Sequence, residues 1–115
     1  MRRGDVVWVN LDPTQGSEAG KRRPAVVVSN DGANATAQSL RRGVVTVVPI
    51  TSNIATVYPF QVRLPAAECG LRKESKAQAE QVRSVAIHRV GVVVGRLSTD
   101  LSAALDEALR LHLGL

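Results

Sequence analysis

The chain has 115 residues, 44% of them hydrophobic and 22% charged, with a formal net charge of +5 at pH 7. That is enough for one folded unit with its own core, and residues 1–115 read as a single domain. The lone cysteine, Cys69, excludes an internal disulfide and a cysteine-built zinc site. No run approaches membrane-spanning length and no leader-like stretch precedes the first strand, so a cytoplasmic protein without a membrane partner is expected.

Of the 15 basic residues, 12 are arginine. Its planar guanidinium fork matches phosphate and carboxylate oxygens, so the composition predicts an anionic partner. The only aromatic residues are Trp8, Tyr58 and Phe60. If the partner is a nucleic acid, contacts to phosphate and ribose should outweigh an open base-stacking sheet.

Asp5 to Leu11 reads as a first strand, with β-branched residues around Trp8, which is assigned to the core; Asp12-Pro13 ends it. Thr14 to Arg23 is a polar loop. Ala25 to Ser29 is continuously apolar, which predicts a central strand covered on both faces. Asp31 to Leu40 suits a short helix capped by Asp31. Arg41-Arg42-Gly43 then turns into a strand from Val44 to Pro49, and Asn53 to Val57 is a loop. Tyr58 to Leu64 is an edge or bulged strand because it contains Pro59. Pro65 to Lys73 reads as loop, with Cys69 an incidental thiol, and Gln81 to Val85 is the best strand within the ambiguous stretch Ser75 to Val85. Val90 to Leu97 is the last strand. Leu101, Leu105, Leu109 and Leu113 at i+4 spacing mark an amphipathic helix, capped by Ser98 or Asp100 and stopped by Gly114. The expected class is mainly β with α, a small twisted antiparallel barrel-like sheet closed by a C-terminal helix.

Three consecutive cations, Lys21, Arg22 and Arg23, stand at the mouth of the central strand, and Thr51-Ser52-Asn53 follows the next apolar run. Strand ends thus deliver guanidinium and hydroxyl groups onto a rigid sheet, an arrangement suited to holding a phosphate. Lys21 and Arg22 add electrostatic attraction. Ser17 and the backbone near Gly16 and Gly20 either line the same groove or form a flexible loop that needs small residues. Gln81 can read a base edge and Arg83 can pair with phosphate; each reads equally well as an exposed polar strand residue. Arg41 and Arg42 form a solvated turn. His88 and His112 lie outside these clusters, and no His/Asp/Glu spacing suggests a metal site, so neither metal nor cofactor is expected.

Five motifs occur in a fixed order: Arg3-Gly4-Asp5-Val6, Gly16-Ser17-Glu18, Arg23-Pro24, Thr51-Ser52-Asn53 and Glu80-Gln81-Val82-Arg83. In this order and spacing, over nearly the whole chain, they resemble the MazF/PemK family of toxin endoribonucleases. The family often has glutamine after Gly-Ser-Glu where this chain has Ala19, a difference that bears on loop contacts and sequence preference. The resemblance implies an SH3-like barrel that forms a homodimer. It implies metal-independent, sequence-specific cleavage of single-stranded RNA, and an antitoxin that inserts an acidic, disordered tail into the active-site groove. Arg23 matches the family's catalytic arginine and Thr51 its catalytic hydroxyl. Ser17, Glu18, Lys21, Ser52, Asn53, Gln81 and Arg83 fall at positions implied to contact RNA. A non-catalytic gyrase poison and a plain SH3-like nucleic-acid-binding module share the barrel, so fold alone leaves them open.

Overall fold

Alternation along the first strand gives the protein two cores. In the computed structural model, which describes Met1–Leu115, β1 (Asp5–Asn10) sends Val6 into one apolar cluster and Val7 and Val9 into another. Successive side chains of a strand leave on opposite faces. β2 (Arg22–Val27) and β3 (Val44–Thr51) divide in the same way: Val26 and Val48 join Val6, while Ala25, Val27 and Val47 join Val7. Strands covered on both faces must be apolar throughout, as the run beginning at Ala25 predicts.

β4 (Gln61–Leu64), β5 (Ser75–Gln78), β6 (Arg83–Ala86) and β7 (Val90–Arg96) complete an antiparallel sheet. Its order is β4-β5-β3-β2-β1-β7, with β6 paired to β3 off this path. β3 serves β6 with Val44–Val47 and β5 with Ile50–Thr51. The β1–β7 ladder has register shifts between Val6 and Val7 and between Val7 and Val9, irregularities of the kind that bend and twist a strand pair.

A C-terminal helix covers the Val6 face. Counting α1 (Asp31–Leu40) and the one-turn α2 (Ala66–Cys69) before it, α3 spans Thr99–Leu113. Ser98 caps it by accepting the Leu101 N–H at 3.2 Å, and Leu105, Ala108 and Leu109 are buried. Leu113 departs from the expected stripe and is 53% exposed. Each i+4 step advances about 40° around a 3.6-residue helix, so the stripe has rotated off the sheet by its fourth leucine. α1 lies against the opposite face and buries Ala37. Its cap is Asn30 rather than Asp31. Asn30 Oδ1 accepts the Ala33 N–H at 2.8 Å, whereas the Asp31 carboxylate accepts the Arg3 N–H at 2.7 Å.

Several segments differ from the sequence reading, among them Arg22 and Arg23, which pair with β1 as the start of β2 instead of ending a loop. Tyr58 precedes β4 rather than starting it: its C=O accepts the Gln61 N–H at 2.9 Å, closing a turn around Pro59. The stretch read as loop contains α2, and Cys69 is fully buried in it. Gln81 belongs to a 3₁₀ turn, Ala79–Gln81, so β6 starts only at Arg83. β5 (Ser-Lys-Ala-Gln) has no β-branched residue; it is a strand because β3 and β4 both pair with it.

α2 meets β7 backbone to backbone. A Cβ on Gly70 would lie 2.0 Å from the Val94 carbonyl oxygen, and one on Gly95 would lie 2.1 Å from that of Cys69. One rung on from Gly95, Arg96 Nη1 pairs with Asp5 Oδ1 at 2.7 Å, and the Arg2 N–H donates to Asp5 Oδ2 at 2.8 Å. Burial alone would raise the pKa of this carboxyl. The Arg2 N–H and the Arg96 guanidinium outweigh it and hold the group below its ordinary 3.8. No helix is long and apolar enough to cross a membrane.

Candidate active site

A cleft of about 550 Å³ opens where β2 begins and β3 ends. Lys21, Arg22 and Arg23 line it from β2 and the preceding residue, Thr51 and Ser52 from the end of β3, and Arg72 and Lys73 from the segment after α2. Trp8, Pro24, Ile50, Leu71 and Val94 supply apolar surface. Every charged residue in the lining is a cation. A concave site with apolar walls and charge of one sign concentrates anions.

The β2–β3 register aligns Ala25 with Pro49, Val26 with Val48 and Val27 with Val47. Continued two residues outward, it sets Arg23 across from Thr51. Arg23 is half-buried, and its Nε–H donates to the Gly20 carbonyl at 2.7 Å. One edge of the guanidinium is thereby anchored. Its two terminal amino groups have no partner within the chain, which leaves a fixed two-pronged donor for phosphate oxygens. Thr51 Oγ1 accepts the Asn53 N–H at 3.2 Å, so the turn is braced while the hydroxyl proton stays free to donate.

The loop that presents Gly20 is itself held in shape. Lys21, at a left-handed φ of 65°, donates its N–H to Asp12 Oδ1 at 2.7 Å. Gly20 packs so closely that a Cβ there would lie 2.6 Å from Thr14 Oγ1. Gln81 braces the middle of the loop with both halves of its amide. Its Oε1 accepts the Ala19 N–H at 2.9 Å and its Nε2 donates to the Ser17 carbonyl at 3.0 Å.

Of the residues singled out in the sequence, the cleft therefore gathers Lys21, Arg22, Arg23, Thr51 and Ser52. Ser17, Glu18, Asn53, Gln81 and Arg83 lie outside its lining; the side chains of the last four bond to this chain's own backbone, and the Ser17 carbonyl accepts from Gln81. Glu18 accepts from the Gln15 N–H at 3.0 Å, Asn53 Oδ1 accepts from the Ala55 N–H at 3.3 Å, and Arg83 donates to the Leu11 carbonyl at 3.3 Å. Trp8 is corrected from core to cleft. It sits one pleat beyond Val6, outside the cluster that α3 covers, with Pro24 as its cross-strand partner. Arg72 and Lys73 are the residues that sequence reasoning missed. Their signal was a cation pair just after a glycine stop, but only the docking of α2 on β7 carries them to the cleft. His88 and His112 are exposed and outside it. No group of three or more His, Cys, Asp or Glu residues is placed to hold a metal ion.

Residues 2–113 match the family model for the PemK-like, MazF-like toxin of type II toxin-antitoxin system. Endoribonuclease MazF9 of Mycobacterium tuberculosis is 63% identical over 115 residues, spanning 100% of this chain and 98% of its own. The crystal structure of MazF (Form-I) from Deinococcus radiodurans superposes with a TM-score of 0.83 at 31% identity, covering 100% of this chain and 97% of its own. MazE-MazF (Form-II) from the same organism gives 0.75 at 29% identity, covering 100% and 96%. Sequence, fold and the cationic cleft agree, and the chain belongs to the PemK/MazF family as a MazF-type toxin endoribonuclease of a type II toxin–antitoxin system.

Proposed function

We propose that this toxin cuts single-stranded RNA at short sequences without a metal ion, using the ribose 2′-hydroxyl of the substrate as nucleophile. The observation that carries this reading is the Arg23 guanidinium, anchored through Nε on Gly20 with its terminal amino groups free, in a cleft whose charged lining is wholly cationic. The 2′-oxygen bonds to phosphorus and releases its proton to water. The bond from phosphorus to the 5′-oxygen breaks, and that oxygen takes up a proton. The products carry a 2′,3′-cyclic phosphate and a 5′-hydroxyl. Negative charge builds on the non-bridging oxygens on the way, and donors already in place there lower the barrier. Arg23 grips those oxygens and supplies a hydrogen bond toward the leaving 5′-oxygen. A guanidinium does not serve as the base, because it hardly deprotonates in proteins. Thr51 positions the phosphate through its free O–H, and Lys21, Arg22, Arg72 and Lys73 draw the backbone in.

The same reading takes residues 1–115 as one toxin domain whose coiled sheet is an SH3-like barrel. It acts in the cytoplasm as a homodimer that inhibits translation and growth. A cognate antitoxin with an acidic, disordered tail would neutralise the cationic cleft; the Deinococcus relative's structure with MazE supports such a partner. Ser17, Glu18, Ser52, Asn53, Gln81 and Arg83 flank the RNA path, directly or by shaping its loops.

The test is cleavage of a long single-stranded RNA by purified protein in EDTA, with Arg23→Ala alongside. Discrete cuts by the wild type alone are expected, with cyclic phosphate ends. A substrate with a 2′-deoxy nucleotide on the 5′ side of the cut should be inert. Cleavage of that substrate, or loss of activity in EDTA, would overturn the mechanism.

A further inference from the structure

Two of the three aromatic residues in this chain stack on one another outside the core. The Tyr58 and Phe60 rings have centroids 5.4 Å apart and planes 1° from parallel. Tyr58 is 50% exposed, although the turn that carries it is fixed from several directions. Its N–H donates to Gln61 Oε1 at 3.1 Å and its C=O accepts the Gln61 N–H at 2.9 Å. Gln61 Nε2 in turn donates to Glu80 Oε2 at 2.7 Å. Pro59 locks φ within the turn. The chain thus holds half of an aromatic ring rigidly in solvent.

Besides the Glu80 carboxylate on Gln61, two cations stand near the turn. Lys76 Nζ lies 5.8 Å from the Tyr58 ring centroid, within cation–π range. Lys76 is buried, takes part in none of the ion pairs, and donates to the Thr56 carbonyl at 2.6 Å. On the sheet it is the cross-strand partner of Thr51 on one side and of exposed Arg63 on the other. One rung therefore links the cleft hydroxyl, the lysine beside the ring, and a second cation.

We infer that Tyr58, backed by Phe60, is a stacking platform for one unpaired RNA base beside the scissile step. The inference rests on the proposed function above. Every base has a π-face, so such a contact adds affinity and fixes register without reading a letter, while Lys76 and Arg63 attract the flanking phosphates. Because the turn is already ordered, binding there loses little conformational entropy.

The test uses the full-length protein and a short RNA spanning a mapped cut, made uncleavable by a 2′-deoxy nucleotide at that cut. In a series of such RNAs the bases near the cut are removed one at a time. Wild type should lose roughly 5- to 150-fold in affinity when the stacked base is absent. Tyr58→Ala should lose a similar factor on intact RNA and become indifferent to that one base, keeping every other penalty. Tyr58→Trp should reproduce the wild-type profile. Wild-type affinity of Tyr58→Ala for every RNA, or a uniform loss across the series, would overturn the platform. A uniform loss with altered mass by light scattering would instead assign the ring to an interface between protein chains. A wild type that cuts no RNA removes the proposed function as well, whereas cutting unaffected by Tyr58→Ala removes the platform alone.

Discussion

Gly95→Ala tests whether the cleft depends on a contact made behind it. The added Cβ would stand 2.1 Å from the Cys69 carbonyl oxygen, 2.6 Å from the Cys69 carbonyl carbon and 3.0 Å from the Gly70 nitrogen. All three are backbone atoms, so no side chain can rotate away. Relief requires α2 and β7 to separate by about 1 Å, the gap between 2.1 Å and the 3.0 Å below which real Cβ contacts essentially never fall. Overpacking of this kind costs about 1–3 kcal/mol, or a Tm drop of roughly 5–15 °C in a domain of this size. The displaced segment leads directly into Leu71, Arg72 and Lys73 on the cleft wall. A shift of about 1 Å in a positioning group can cost on the order of 10²-fold in rate, so kcat/KM for RNA cleavage should fall by tenfold or more. Gly91→Ala on the same strand is the control. Its Cβ would meet the Trp8 carbonyl oxygen at 3.4 Å and the Trp8 Cβ at 3.5 Å, an ordinary contact, and both Tm and rate should stay near wild type. Thermal melts and single-turnover cleavage of the two variants decide the matter. Equal effects from both, or a wild-type Tm for Gly95→Ala, would refute the reasoning.

Arg23→Lys should lower kcat/KM by about 10²-fold with little loss of RNA affinity, because an ammonium cannot both hold Gly20 and present a fixed fork; equal loss in both would make Arg23 an anchor only. Gln81→Leu should destabilise the protein by about 1–2 kcal/mol in urea and expose residues 16–20 to proteases, since two loop hydrogen bonds are lost. The sequence cut should stay the same, and a changed sequence at unchanged stability would make the Gln81 amide a base reader. Asp5 should stabilise the fold fully above pH 3.8, with that contribution lost as pH falls through its depressed folded pKa. The Tm gap between wild type and Asp5→Asn should therefore narrow on acidification, and a gap independent of pH would sink this assignment. Burial first, then Glu68 and Glu74, push the Cys69 thiol above its ordinary 9.0; a disulfide reagent at pH 8 should label it only after denaturation.

Local pattern in the chain was enough for the elements whose signal is local. The run beginning at Ala25 declared a strand buried on both faces, and the leucines from Leu101 declared the closing helix. The ordered motifs around Arg23 and Thr51 declared the family, because five short patterns in one order over 115 residues rarely coincide. The cations Lys21, Arg22 and Arg23, picked out in the sequence, line one cleft in the fold.

Other features were decided by contacts between residues far apart in sequence. Ser75–Gln78 is a strand only because two neighbours offer it hydrogen bonds. Trp8 alternates like a core residue, yet it faces the cleft because the covering layer ends before it. Gln81 sits in a motif that reads as substrate-facing, and in the fold its Oε1 and Nε2 also brace a loop more than 60 residues earlier. Arg72 and Lys73 are an unremarked cation pair in the sequence. They join Arg23 because two glycines let α2 meet β7 backbone to backbone, and an approach that close is a property of the packed structure that no local pattern encodes.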